Sequence, residues 1–450
     1  MNAPDSPAEG STPELRALLQ GLADPDPARQ TSALSELRDR AKTKNLSASE
    51  GGFLLRSVGK EYPPIAGNPT NCVAAELILA VASTPDRSHV AIIQEIFDSL
   101  RPPTKPYGLG DPRTAALALL AGMDDETAAQ ALLGLVEKAA AGGSPLTLPV
   151  GSLRSKPRLA QVYFPRMLKS AMGEAANDVF LVCFEYAKKG LVPPEQLAPY
   201  AGVLVDAYAR IQPVIEAAQS RLPPACGEGE HNEGYGEVRD DAGLLLDLMG
   251  YFPSPDVRPV LNASSKLSDL TLAKYAAGAL LRLGCNVETG VLERIAARPE
   301  TRSWLFDELG RLGKRDVFPA TWGTQAALAE AVMVHWLVHP NELGRPPDEI
   351  ELVLVFVDDG PPDGELEWYL LRFRTHPPHW ASENGWMTGL AGPFGSTGGP
   401  TTADYGRTWS DFTRWDSMTP DQHLETVRET ARRFRQARSE RGTGGRSGAS

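Results

Sequence analysis

All eight tryptophans of this 450-residue chain (Trp304, Trp322, Trp336, Trp368, Trp380, Trp386, Trp409 and Trp415) lie in its last third. A single core draws large aromatics from the whole length of its chain. Confining them to one end implies two modules with different packing, one made of Ala and Leu, the other of rings that each bury a large area. At 450 residues the chain also exceeds what one ordinary core holds. It needs either several domains or a stack of small units in which each contacts only its neighbours.

The tryptophan-free part has helical spacing. Leu272, Tyr275, Ala276, Ala279, Leu280 and Leu283 fall at one face of a 3.6-residue period, and Gly284 ends the run. Asp111-Pro112 is a cap followed by proline at the first helical position, and Ala116, Leu117, Leu119 and Leu120 continue that helix. Helices of about 12–18 residues alternate with Pro, Gly and Asp. None could bury its apolar stripe alone, so stacking is expected.

Three stretches carry a resemblance. Leu19-Gln20-Gly21-Leu22-Ala23-Asp24-Pro25-Asp26-Pro27-Ala28-Arg29, followed by Ala33, Leu34 and Leu37, resembles the turn and second helix of a HEAT/armadillo-type repeat. Asp269 to Gly284 is similar to the same half-repeat, and the segment from Asp111 is a looser copy. Asp24, Asp111 and Asp269 stand roughly two and four units of about 40–47 residues apart. The resemblance implies an α-solenoid over residues 12–315, with irregular spacing between 140 and 260. There the Pro/Gly-rich segments 142–157 and 221–237 interrupt any period.

The character changes after a helix at 322–340. Glu349–Val357 is rich in β-branched residues, and Glu365–Thr375 alternates, so the two are expected to form a β-hairpin around a seven-residue loop. Gly385–Phe394 supplies a candidate third strand, and a last helix begins near Pro420 with Thr419 as its cap. The expected fold is therefore mainly α: a HEAT-like helical region at 12–315, a Trp-rich α+β module at 316–435, and a disordered basic tail at 436–450. That tail is the end of an Arg/Gly/Ser-rich stretch beginning at Arg432.

Candidate chemistry concentrates in the second module. Alternation sets Trp368, Leu370 and Arg372 on one face of a strand, and Tyr369, Leu371 and Phe373 on the other. Trp and Arg carry disproportionate energy at protein interfaces, which makes Trp368, Arg372, Arg374, Trp380 and Trp386 the candidate binding residues. The same rings could equally serve as the core of a small module. His335 and His339 share a helix face, and His376 and His379 follow a strand, so these four are the candidate metal ligands. The helix lacks the HExxH glutamate because Trp336 stands there, and a border of the aromatic core is the competing reading. Cys226, Glu228, Glu230, His231 and Glu233 form a second metal-capable group, in a loop that reads as a surface insertion. Asp358 and Asp359 suit turn geometry.

No phosphate loop, dinucleotide fingerprint or nucleophile elbow is present, and no cofactor is expected. A net charge of −12 opposes wrapping of nucleic acid or docking on an anionic membrane. No apolar run spans a bilayer, and the first residues resemble neither a signal nor a transit peptide. Cys72, Cys183, Cys226 and Cys285 are too scattered for a disulfide framework. The expectation is a cytoplasmic, non-enzymatic scaffold that binds a protein or peptide through its helical surface. Two alternatives stand beside it: an enzyme acting on a metal or small molecule in the C-terminal module, and an immunity-type regulator that sequesters a basic toxic enzyme. The oligomeric state is not legible.

Overall fold

Short polar caps start one helix after another. Thr12 accepts the Leu15 amide ahead of α1 (Pro13–Leu22), and Asp26 accepts that of Ala28 ahead of α2 (Pro27–Lys42). Ser47 and Glu50 form a reciprocal capping box on α3 (Ala48–Arg56). Then come α4 (Val73–Ala82) and α5 (His89–Ile96). Asp111 caps α6 (Pro112–Gly122) and Asp125 caps α7 (Glu126–Ala141). The segment with no clear period gives shorter pieces, α8 (Val150–Arg154) and α9 (Ala160–Tyr163), before α10 (Ala176–Lys188), α11 (Pro194–Leu197) and α12 (Ala201–Gln219).

This computed structural model describes residues 11–44, 46–65, 72–100, 110–143, 146–171, 175–219, 233–338, 343–360, 364–378, 385–396, 398–403 and 412–444. Contacts divide the chain into two units: Met1–Arg210 with Tyr251–Val257, and Ile211–Gly250 with Arg258–Ser450. In the first, α2 packs on α4, α4 on α6, α6 on α8 and α8 on α10, while α3 packs on α5, α5 on α7 and α7 on α9. Two rows of helices result, cross-linked where α3 meets α4 and α6 meets α7. Their interior is apolar, with Ala115 to Ala121 buried without interruption along α6.

The second unit contains α13 (Glu233–Met249), α14 (Val257–Ser264), α15 (Leu270–Arg282), α16 (Thr289–Ala297), α17 (Pro299–Arg311) and α18 (Gln325–Val338). Helix α15 packs on α13, α16 and α17, so it is buried almost all round rather than along the single stripe its spacing suggests. A Cβ at Gly250 would lie 2.7 Å from the Ala279 Cα, so a hydrogen there permits the close approach of α13 to α15. Gly284, at φ +73°, turns the chain out of α15 while the Cys285 amide reaches back to Leu280 O. Asp269 caps α15 through the amides of Thr271 and Leu272 and accepts the Tyr235 hydroxyl at 2.8 Å. The cap of α2 is Asp26; Asp24, the first of the three spaced aspartates, instead accepts the Asp26 amide.

A four-stranded antiparallel sheet follows, in the order β1 (Glu349–Gly360), β2 (Gly364–Arg374), β3 (Met387–Gly395) and β4 (Thr413–Arg414). The hairpin and third strand match the sequence pattern. The strands run further toward the turn than expected, to Gly360 and from Gly364, and the two-residue β4 has no sequence signal. Helix α18 packs Ala329, Met333 and Leu337 against Tyr369, Leu371 and Phe373 on one face. On the other, Val427 and Ala431 of α19 (Pro420–Gly444) cover Trp368, Leu370 and Leu390.

Two expectations are corrected. The Arg-rich segment from Arg432 continues α19 through Gly444, so composition misread 436–444 as a disordered tail. Arg432 and Arg433 pair with Glu429, and Arg435 is tied to Asp358, which supplies the cross-links a charged helix needs. Contact also divides the chain near 210, whereas composition divides it near 316. The α17 side chain of Arg302 explains the continuity across 316: it donates to Ala327 O at 2.7 Å and to Glu330 at 2.8 Å, both on α18.

Candidate functional site

The face of the sheet beneath α19 changes character along its length. Near the hairpin tip it is apolar, with Trp368 and Leu370 under the helix. Two residues further along β2, the same side presents Arg372 and then Arg374. Register explains what these meet, because Arg372 lies opposite Glu351 and Arg374 opposite Glu349 on β1. Arg374 grips Glu349 with two bonds of 2.7 Å, and Arg372 donates to Glu351 at 2.8 Å. The Trp386 ring lies 4.6 Å from both guanidiniums, and Trp415 lies 5.5 Å from that of Arg372. Trp415 is in turn stacked on His423 at 4.4 Å, and the His423 Nε2 bonds the Trp415 carbonyl. His376 Nε2 stands 3.0 Å from Glu349. The bonds from His376 and Arg374 hold the Glu349 carboxyl below the ordinary glutamate range.

This half-buried lattice joins Arg372, Arg374 and Trp386, three of the five candidate binding residues. Trp368 is excluded from a surface role because it is 1% exposed and packs edge-on against Phe434. Its register with Phe356 and its cover by α19 make it core. Trp380 lies outside the described residues. The two arginine forks are already engaged by glutamates of the adjoining strand. Their chemistry is cross-strand clamping, and an acidic ligand would have to displace Glu349 or Glu351 to reach them.

Of the four candidate metal ligands, His335 is exposed on α18 and His376 is engaged by Glu349, while His339 and His379 lie outside the described residues. Cys226, Glu228, Glu230 and His231 also lie outside them, and Glu233 begins α13. Among the described residues no three His, Cys, Asp or Glu side chains are grouped so as to hold a metal ion. Asp358 is bound by Arg435, which also donates to Asp358 O and Gly364 O.

Sequence reasoning passed over the opposite face of β1. Leu352, Val355 and Val357 lie there at 45%, 45% and 46% exposure, beside a Tyr369 that is 4% exposed. An available signal was the order of the strands: the first strand of a meander has a neighbour on one side only. A depression of about 280 Å³ in the first unit is lined by Arg16, Phe53, Lys60 and Tyr62. Burial there pushes the Tyr62 phenol up to about 12, and its hydroxyl donates to Ser57 O. No protein-family model, curated protein or solved structure matches the chain.

Proposed function

We propose that this protein is a non-enzymatic scaffold of the HEAT/armadillo type, which binds a partner protein through its helical surface and works in the cytoplasm. The observation that carries this reading is the double row in the first unit, where each helix packs on helices one or two places away in the chain. Such local stacking leaves long helix faces free for a partner, the way repeat proteins use their surfaces. Among the described residues no helix is long and apolar enough to cross a membrane. Cys72, Cys183 and Cys285 are free thiols, which fits a reducing compartment, and burial pushes the Cys183 thiol up, away from reactivity.

The test is cross-linking of the full chain in native lysate at controlled salt, followed by calorimetry with each purified protein recovered. The reading expects saturable binding, with cross-links on residues of α2 to α10. It fails if no protein binds saturably, or if the cross-links of every saturable partner avoid those helices.

A further inference from the structure

Strand β1 closes the sheet on one side. It pairs with β2, and no other strand among the described residues pairs with its outer edge. An irregularity between Leu352 and Leu354 interrupts it, but from Leu354 opposite Leu370 to Gly360 opposite Gly364 the register is regular. Exposed edges are ordinarily blunted by Lys, Pro or charges pointing into the sheet. Between Glu349 and Gly360 there is no Lys, Arg or Pro, and Leu352, Val355 and Val357 stand exposed on the face shared with α18. An edge of this kind is a template for an added strand.

Charge says what would add to it. Glu349, Glu351 and Asp358 are held within the molecule by Arg374, Arg372 and Arg435. Asp359 and Glu365 remain, opposite each other in register and both exposed, where the apolar stripe ends at the hairpin tip. Glu367 lies opposite Val357 on the same face. A second copy of β1 brings no Lys or Arg to Asp359 and Glu365, and each copy carries a net charge of −12, so pairing of two copies is repulsive. A strand with a basic end meets no such repulsion.

We propose that the outer edge of β1 accepts an extended segment of a partner protein as a fifth strand. The segment lays alternate apolar side chains beside Leu352, Val355 and Val357, and its Lys or Arg end meets Asp359 and Glu365. This surface is separate from the helical one, and each can fail alone.

The experiment is fluorescence anisotropy on the full-length chain. The probes are labelled peptides of alternating Val and Thr, carrying two lysines at either the N- or the C-terminal end, with glutamate versions as controls. Saturable binding of a lysine peptide is expected, at least about tenfold tighter than its glutamate control and weakened by salt. Val355→Lys and Val357→Lys should each weaken it about tenfold while leaving the circular dichroism unchanged, since both side chains already face solvent. Asp359→Lys should reverse the preference between lysine and glutamate ends, and it provides a second readout if either valine variant is misfolded. Absence of binding, equal binding of both charge types, or indifference to all three substitutions overturns the proposal. So does sedimentation showing a dimer of the chain that Val355→Lys dissolves, because the edge then belongs to a second copy.

Discussion

The two units solve the problem of holding helices together with different chemistry. In the first, helix faces meet through Ala and Leu, and ion pairs between helices lie toward the outside. Lys138 on α7 pairs with Asp98, just beyond α5, and their side chains are 61% and 59% exposed. In the second, arginines go inside. Arg302, 1% exposed, donates to Ala296 O, Ala297 O, Ala327 O and Glu330, with its guanidinium 4.5 Å from the Trp322 ring centre. Arg282, the last residue of α15, joins Asp247 of α13 to Glu308 of α17. A guanidinium can satisfy several helix-end carbonyls at once, which Leu cannot. The cost is that each buried arginine depends on every partner being in place.

The contrast can be broken at several points. Arg302→Met should have the largest effect, about 3–5 kcal/mol lost on denaturant unfolding, because Glu330 and three carbonyls lose a donor. Lys138→Met, which breaks a pair with Asp98 whose side chains are both more than half exposed, should lose less than about 1 kcal/mol, as exposed pairs do. Equal losses would erase the distinction. Leu119→Ala in the first unit should lose about 2–4 kcal/mol through a cavity in an apolar interior. The caps sharpen the comparison further. Asp111→Ala should lose about 1 kcal/mol, and Asp269→Ala should lose more, since Asp269 accepts two amides and the Tyr235 hydroxyl where Asp111 accepts one amide and the Thr114 hydroxyl. Chemical denaturation of the two variants side by side decides the order.

The smallest effect is on pH dependence. Burial pushes the Glu308 carboxyl up, but bonds and charges from Arg311 and Arg282 outweigh it and hold the group below the ordinary range. A lowered carboxyl gives stability that is present above its unfolded value, roughly 4.3, and is lost as pH falls through the folded one. Every tryptophan lies within Ile211–Gly250 or Arg258–Ser450, so indole emission reports on the second unit alone. The acid limb of that emission should flatten in Glu308→Gln. An unchanged limb would remove Glu308 from the acid response of the unit.

Features set by neighbours in sequence were legible. Asp111-Pro112 and Asp269 announced their helices, and alternation in β2 correctly divided Trp368, Leu370 and Arg372 from Tyr369, Leu371 and Phe373. What covers each face was not legible, because α19 arrives from some fifty residues downstream to bury Trp368. The arginine tail was misread because its composition was weighed before its spacing: Glu429 with Arg432 and Arg433 is a helical pattern. Of the candidate binding group, the residue types drew attention to Arg372, Arg374 and Trp386. Their engagement by Glu349 and Glu351 depends on strand register, which no local pattern fixes.

The return of Tyr251–Val257 to the first unit bears on how the protein is made. Synthesis delivers the chain from its N-terminus, and domains tend to close as their last residues emerge. The first unit receives its final piece only after Ile211–Gly250, including α13, has left the ribosome. During that interval a nearly complete helical array waits for its last seven residues. The order of translation thus asks the nascent chain to hold one folding event open while it begins another.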